Sequence, residues 1–558
     1  MILSPLAFAQ TSAKKQPNII FFLVDDYGWG DSQVEYDGVQ YPRHKNFRTP
    51  NMQKLADMGV RFSHAYACPV STPTRTSIMC GMNAVHSHIT NWTSMAKDEP
   101  SDAVGGANGS KTYEEKNGDI FSRPQWNING LSPVKGINNT QYATPLVQLL
   151  KDAGYYTIHV GKAHWASAGT PGATPYNMGF VVNISGTNAG LPRSYRGKEN
   201  FGNIPEKWNM SAVQDLTQYY GQDIFLTEAL TREALKTLDY PISHKQPFYL
   251  YMAHYATHTP IQKDPRFFDY YADMGQDKGQ SNYASMVEGV DKSLGDILGF
   301  LKEKGIADNT IIIFMADNGG NADITSKGGI PHTQNSPLRE GKGSCYEGGI
   351  RVPLSIYWPG NTVPGIQINT PTMPEDLFPT ILDMAGVRNY TTDQKTDGKS
   401  LVNLITKGAK YTSKTNSKEI PESVSGISPQ REVLFHYPHQ WKVSYKPEVD
   451  FLSTIIKGDW KLVYVMANAV EGEHVDPSRG LISKDSYISS SIPGVRQGAL
   501  ELYNLKEDIG EQHNIAASHP EKVRELAKAL SDRLRSYNAS MPVIRKTGKL
   551  VPMPDELL

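Results

Sequence analysis

Asn18-Ile19-Ile20-Phe21-Phe22-Leu23-Val24 is an almost unbroken apolar run that stops at the charged pair Asp25-Asp26. A short run with no polar alternation predicts a strand buried on both faces, as in a parallel sheet covered by helices. Similar runs at 155–160, 247–253 and 310–316 predict three more such strands. Between them apolar residues recur at helical spacing. These stretches predict helices over 50–59, 144–153, 222–238, 284–304 and 375–385. Strands alternating with helices imply an α/β domain with a large, mostly parallel sheet between two helical layers.

Ligands of such sheets bind beyond the carboxyl ends of the strands. Four predicted strands deliver polar groups there: Asp25 and Asp26 after the first, Lys162 and His164 after the second, His258 after the third, Asp317 and Asn318 after the fourth. Another stretch, Ser71-Thr72-Pro73-Thr74-Arg75, runs toward Gly81. Proline suits the first turn of a helix and glycine its end, so Ser71 is expected where a loop becomes a short helix. Its hydroxyl is then either an ordinary cap or a group beside unpaired N–H groups that favour an anion.

Two polar stretches break the pattern. Residues 92–139 lack periodicity and read as a long surface insertion. Residues 391–430, dense in Lys, Ser and Thr, read as a connection between a catalytic domain over 16–390 and a smaller α+β part over 431–558. That part carries predicted strands at 451–457 and 460–465 and an amphipathic helix at 519–537.

Composition narrows the partners. The 56 basic and 57 acidic residues leave a net charge of −1, which argues against nucleic acid as a partner. No apolar stretch approaches the roughly 20 residues that span a bilayer, so no transmembrane segment is expected. Residues 1–9, ending in Ala7-Phe8-Ala9, read as a residual signal peptide and imply export to a periplasmic or extracellular space. The three cysteines, Cys68, Cys80 and Cys345, fit neither a disulfide framework nor a zinc spacing.

Asp25, Asp26, Asp317 and Asn318 form a hard oxygen-donor set, suited to Ca²⁺ or, less well, Mg²⁺. Around it Arg75, Lys162 and Lys342 could neutralise a substrate oxyanion, and His164 and His258 could move protons near neutral pH. Metal, nucleophile and cations together describe displacement at a sulfate or phosphate ester.

The motifs carry a resemblance. Ser71-Thr72-Pro73-Thr74-Arg75 with Cys80-Gly81 resembles the signature of the type I, formylglycine-dependent sulfatases, whose fold is alkaline-phosphatase-like. Gly161-Lys162-Ala163-His164, His258-Thr259-Pro260, Ala316-Asp317-Asn318-Gly319 and 338–353 resemble further segments of that family, and 501–505 with Glu511 and Asn514 resemble its closing strand. The resemblance implies that a maturing enzyme oxidises Ser71 to formylglycine (3-oxoalanine), whose hydrated gem-diol attacks sulfur and then expels sulfate. It further implies that Asp25, Asp26, Asp317, Asn318 and the modified Ser71 hold Ca²⁺, and that Arg75 holds the formylglycine and metal loop. By the same resemblance Lys162 and Lys342 bind the sulfate, His164 assists the gem-diol and His258 protonates the leaving alcohol.

Two positions depart from the family pattern. Ser71 replaces the commoner cysteine, as in a bacterial branch matured by a radical enzyme, or as an engineered exchange would leave it. Cys80 stands where threonine is usual. Aromatic and imidazole rings suit sugars, so Trp92, His254 and His439 are expected at a sulfated glycan, and the chain reads as a carbohydrate O-sulfatase. The alternatives are a phosphoester or phosphonate hydrolase of the same superfamily using unmodified Ser71, and an inert glycan-binding relative.

Overall fold

The computed structural model describes residues 16–97, 121–122, 124–207, 209–321, 335–439, 451–469 and 498–558. Its main sheet has eight strands: β1 (Asn18–Val24), β2 (Val60–Phe62), β3 (Tyr156–Gly161), β4 (Val182–Ile184), β5 (Phe248–Ala253), β6 (Thr310–Ala316), β7 (Leu354–Tyr357) and β8 (Ile366–Ile368). Their order is β8-β2-β7-β6-β1-β5-β3-β4, and only β7 runs antiparallel to its neighbours. The expected α/β sheet, mixed and mostly parallel, is present. The four strands predicted from apolar runs are its contiguous centre, and every residue of β1, β5 and β6 is buried. Strands β2, β4 and β8, toward the two margins of the sheet, are three residues long, too short for any period to show.

Two groups of helices cover the sheet. Helices α1 (Pro50–Met58), α4 (Leu226–Ser243) and α5 (Lys278–Glu303) pack together, as do α2 (Ser71–Cys80), α3 (Leu146–Asp152) and α6 (Leu377–Met384). Helix α5 starts six residues before its periodic stretch because the Asp277 side chain caps it, accepting from Gly279 N and Gln280 N at 2.8 and 3.2 Å.

The stretch read as a connection does more than connect: Leu401, Leu404, Ile405, Ala409, Ile420 and Ile427 all join the main core. The stretch read as a surface insertion is likewise partly internal, since Trp126, Ile128 and Leu131 are buried. Residues 98–120 of it, and the expected signal peptide at 1–9, lie outside the described residues.

A second, antiparallel sheet follows: β9 (Glu432–Tyr437), β10 (Leu452–Lys457), β11 (Trp460–Val465) and β12 (Leu500–Asn504), in that order. Its side chains alternate between two apolar surroundings. Leu434, Ile455, Leu462, Leu500 and Leu502 pack under helix α7 (Pro520–Ser536) through Val523, Leu526 and Leu530. Val433, Phe435, Ile456, Val463 and Tyr503 face the other way, against Tyr66, Val70, Tyr346 and Met373 of the main domain. The small sheet is therefore seated directly on the segment that leads into α2.

Candidate active site

The register places the acidic groups level with one another. Val24 pairs with Ala316 across β1 and β6, so Asp25 and Asp317 leave the sheet side by side. Asp317 N donates to Val24 O at 3.1 Å, and Asp26 N to Asp317 Oδ1 at 3.2 Å. Carboxylate oxygens of Asp25, Asp26 and Asp317 lie within 4.8 Å of one another, all buried. Asp26 turns back toward the group with φ of +54°, a left-handed conformation that non-glycine residues adopt at a cost.

Ser71 is the first residue of α2, and Val70 takes the cap position. The Ser71 hydroxyl is therefore not a cap. Its Oγ stands 3.2 Å from Asp25 Oδ1 and 3.2 Å from Asn318 Oδ1, and it accepts from Lys162 Nζ at 3.1 Å. Lys162 Nζ also donates to Asp25 Oδ2 at 2.7 Å, and Lys342 Nζ to Asp26 Oδ1 at 2.5 Å. One turn into α2, Arg75 is fully buried; it donates to Asp317 Oδ2 at 2.8 Å and to Lys162 O at 2.9 Å. The guanidinium thus ties the helix to two strand ends.

The histidines differ in exposure. His164, with φ of +56°, is buried and sits with Nε2 3.0 Å from Thr93 O, which makes Nε2 the protonated nitrogen and leaves Nδ1, unpartnered, as an acceptor. Burial first, then Lys162, pushes its pKa well below the ordinary value, so it is neutral. His258 is the more open of the two; its Nε2 lies 3.5 Å from Asp26 Oδ2 and its Nδ1 3.0 Å from Thr259 O. Burial lowers its pKa to about 3 against the attraction of Asp26.

Charge inside the site is balanced: three carboxylates face Arg75, Lys162 and Lys342. Burial raises Asp317, and the nearby Asp25 raises it further. Burial would raise Asp26 too, but the cations around it win and hold it well below the usual range. Those cations are His258, charged at the low pH where Asp26 titrates, then Lys342 and Lys162. Lys162 is pushed down to about 8 by burial, partly offset by Asp25, whereas Lys342 is raised because its carboxylate neighbours outweigh burial.

The donor set fits a hard divalent cation. It offers only oxygens, and Asp26 Oδ2 is a buried carboxylate oxygen with no hydrogen-bond partner.

The expected sugar contacts fare unevenly. Trp92 is half-buried against Trp126 and Ile128, one residue before the Thr93 carbonyl that holds His164. His439 is buried, with Nε2 2.7 Å from Thr90 Oγ1 and its ring edge-on to Trp126, so it supports that aromatic cluster. His254 is a correction. It is fully buried in the core, with Nε2 2.8 Å from Ser293 Oγ of α5 and its ring against Phe22, and it cannot reach a substrate. A ring type suited to sugars does not fix its direction: just past β5 this side chain points into the helical layer. Sequence reasoning also missed Thr93 and Gly190, whose backbone packs on the His164 ring; a carbonyl and a missing side chain leave no signal in residue type.

A sulfatase family model matches residues 17–387, more than half of the chain. A sulfatase of Formosa agariphila is 26% identical over 610 aligned positions, covering 99% of this chain and 96% of that protein. N-acetylgalactosamine-6-sulfatase of Mus musculus is 28% identical, covering 73% of this chain and 70% of its own length. Among solved structures, Ps i-CgsB in complex with k-i-k-neocarrahexaose has the same fold, with a TM-score of 0.61 at 23% identity over 97% of this chain and 96% of that one. The motifs, the strand-end geometry and the family match agree: this chain belongs to the sulfatase family, the hydrolases of sulfuric esters.

Proposed function

We propose that the chain is a carbohydrate O-sulfatase that works through formylglycine made from Ser71 and a Ca²⁺ ion. The observation that carries this reading is the position of Ser71 Oγ, between Asp25, Asn318 and Lys162 at 3.1 to 3.2 Å and away from any capping role. A plain serine could attack an ester there but could not expel the bound sulfate; a hydrated aldehyde has a second hydroxyl for that. Asp25, Asp26, Asp317, Asn318 and the modified residue would hold Ca²⁺, which would supply a Lewis acid to a sulfate oxygen.

This chain's own residues do the rest. Lys162, 3.1 Å from Ser71 Oγ, and Lys342, on Asp26, bind the sulfate and set it against the nucleophile. His164, neutral and with Nδ1 free to accept, takes a proton from a hydroxyl at residue 71. His258 delivers a proton to the departing sugar oxygen; a sulfate ester beside the ring adds negative charge and raises the affinity of Nε2 for that proton. Arg75 keeps α2 and Asp317 in register throughout.

A sugar substrate is supported by Trp92 beside Thr93 and by the glycan-directed relatives. Export, with a maturing enzyme that oxidises serine, accords with the first nine residues and with the serine at the nucleophile position.

The test is the mass of the tryptic peptide 62–75 from protein matured in its own host, together with sulfate and phosphate release from matched sugar esters. Loss of two hydrogens from the peptide, with sulfate release abolished by chelation and restored by Ca²⁺ but not Zn²⁺, is the expected result. An unmodified serine in a protein that releases phosphate would replace this reading with a phosphoester hydrolase.

A further inference from the structure

β11 alternates as a strand buried on both faces should, except at one position. Leu462 and Tyr464 point toward α7, while Val463 and Val465 point toward the main domain. Lys461 shares that second face and is fully buried. A buried lysine needs anionic partners. Lys461 Nζ has two, Glu347 Oε1 at 2.9 Å and Glu511 Oε1 at 2.8 Å. Arg351 lies 3.0 Å from Glu347 Oε2, so two cations and two carboxyl groups close a fully buried cluster.

Glu347 belongs to the segment that carries Lys342. Three successive residues of that segment are held by the small sheet or its flank. Cys345 Sγ lies 3.8 Å from Leu452 O on β10. Tyr346 Oη donates to Glu501 Oε2 on β12 at 2.5 Å, and the Arg339 guanidinium stacks 3.9 Å from the Tyr346 ring. Glu347 is gripped by Lys461, and its backbone N donates to Glu511 Oε2 at 2.7 Å. The other side of the segment is tied to the active site itself: Lys342 N donates to Gly320 O at 3.0 Å, Gly343 N to Pro69 O at 2.7 Å, and Gly319 N to Gly349 O at 3.0 Å. That last contact is so close that a Cβ on Gly319 would fall 1.8 Å from Gly348 O. The Lys342 segment is thus a wedge between the Asp317 loop and the small sheet.

We propose that the C-terminal sheet is a positioning device for Lys342, acting through Lys461 and Glu511 on Glu347 and through Glu501 on Tyr346. None of these five touches the ester; they fix where the Lys342 ammonium stands. The consequence for turnover rests on the sulfatase reading above, but the clamp itself does not.

The test uses the full matured chain carrying Lys461→Met with Glu511→Gln. Each change alone strands a buried charge, whereas together they leave the Glu347–Arg351 pair neutral, and glutamine can still accept from Glu347 N. Hydrogen exchange should quicken in peptides covering 339–349 and stay unchanged in β1 and β5. Turnover should fall about tenfold in the wild-type background, with less than about a twofold further loss in a Lys342→Ala background, because both routes remove one interaction. A milder variant, Tyr346→Phe, should move both readouts in the same direction if the double variant does not fold. Unchanged exchange at 339–349 overturns the proposal, as does a full tenfold loss on top of Lys342→Ala. If matured wild-type protein releases no sulfate, the functional reading falls and the exchange result alone decides the clamp.

Discussion

At the scale of single residues, the site works by removing freedom from groups that ordinarily have it. His164 is held from three sides: its N donates to Thr187 O at 3.0 Å, its Nε2 lies 3.0 Å from Thr93 O, and Gly190 packs beside the ring with no room for a side chain. A Cβ at position 190 would come within 2.7 Å of His164 Cε1. Gly190→Ala must therefore tilt the imidazole away from Thr93 and from residue 71. We expect kcat to fall about tenfold with the fold intact, since a displacement of a few tenths of an ångström at a proton-transfer group is costly. Kinetics alongside a circular-dichroism melt would check it; an unchanged kcat would mean that the ring orientation is immaterial. The cluster at the strand ends was legible in sequence because four strands each deliver polar groups to one edge of the sheet: Asp25-Asp26, Lys162 with His164, His258, and Asp317-Asn318. Their restraints were not, because Thr93 acts by its carbonyl and Gly190 by what it lacks. His254 shows the opposite error, a residue of the right type and position whose side chain takes the other face.

At the scale of elements, α2 is short and must be held at both ends. Its start is fixed by the site and its end by Gly81, which has φ of +71° and donates to Ser77 O at 2.8 Å. The Gly81 Cα lies against Phe378 of α6, where a Cβ would come within 2.9 Å of the ring. Gly154, just after α3, has φ of +93° but open space around it. The two sites separate strain from crowding. Gly154→Ala should cost about 1 kcal/mol, the backbone term alone, and Gly81→Ala clearly more, since Phe378 must also move. Urea unfolding of both variants would check this, and equal losses would show that Phe378 yields freely. Elements of this kind explain which parts of the fold could be foreseen. Strands with six consecutive apolar residues, and α5 with its periodic face, announce themselves. The three-residue strands β2, β4 and β8 and the single antiparallel strand β7 do not, because they are set by pairing with neighbours distant in sequence.

At the scale of the whole molecule, stability against acid is a contest between two kinds of buried group. His159, His254 and His436 are all buried, and burial lowers each pKa to about 3 from an ordinary 6.5. Their neutral forms are favoured in the fold, so the stability they lend is complete above pH 6.5 and is lost as pH falls toward 3. Glu375 is the counterpart. Burial, then the nearby Asp376, raises it to about 7 from 4.5, with Oε1 accepting from Asn83 Nδ2 at 2.8 Å and Oε2 unpartnered. Its protonated form is favoured, so its contribution is full below pH 4.5 and is lost as pH rises through 7. The two signs can be separated by substitution. His436 has Nδ1 2.6 Å from Ser453 Oγ and Nε2 3.1 Å from Ser540 O, and His436→Gln can keep part of that bonding without titrating. Relative to wild type, it should cost about 2 kcal/mol less at pH 5.0 than at pH 7.5, because the wild-type histidine is by then resisting protonation. Glu375→Gln should do the reverse: at pH 7.5 it relieves a buried, half-satisfied carboxylate and stabilises the protein by about 2 kcal/mol more than at pH 5.0. Urea midpoints at the two pH values decide it. If both variants shift with pH in the same direction, the acid response belongs to the active-site charges and not to these buried groups.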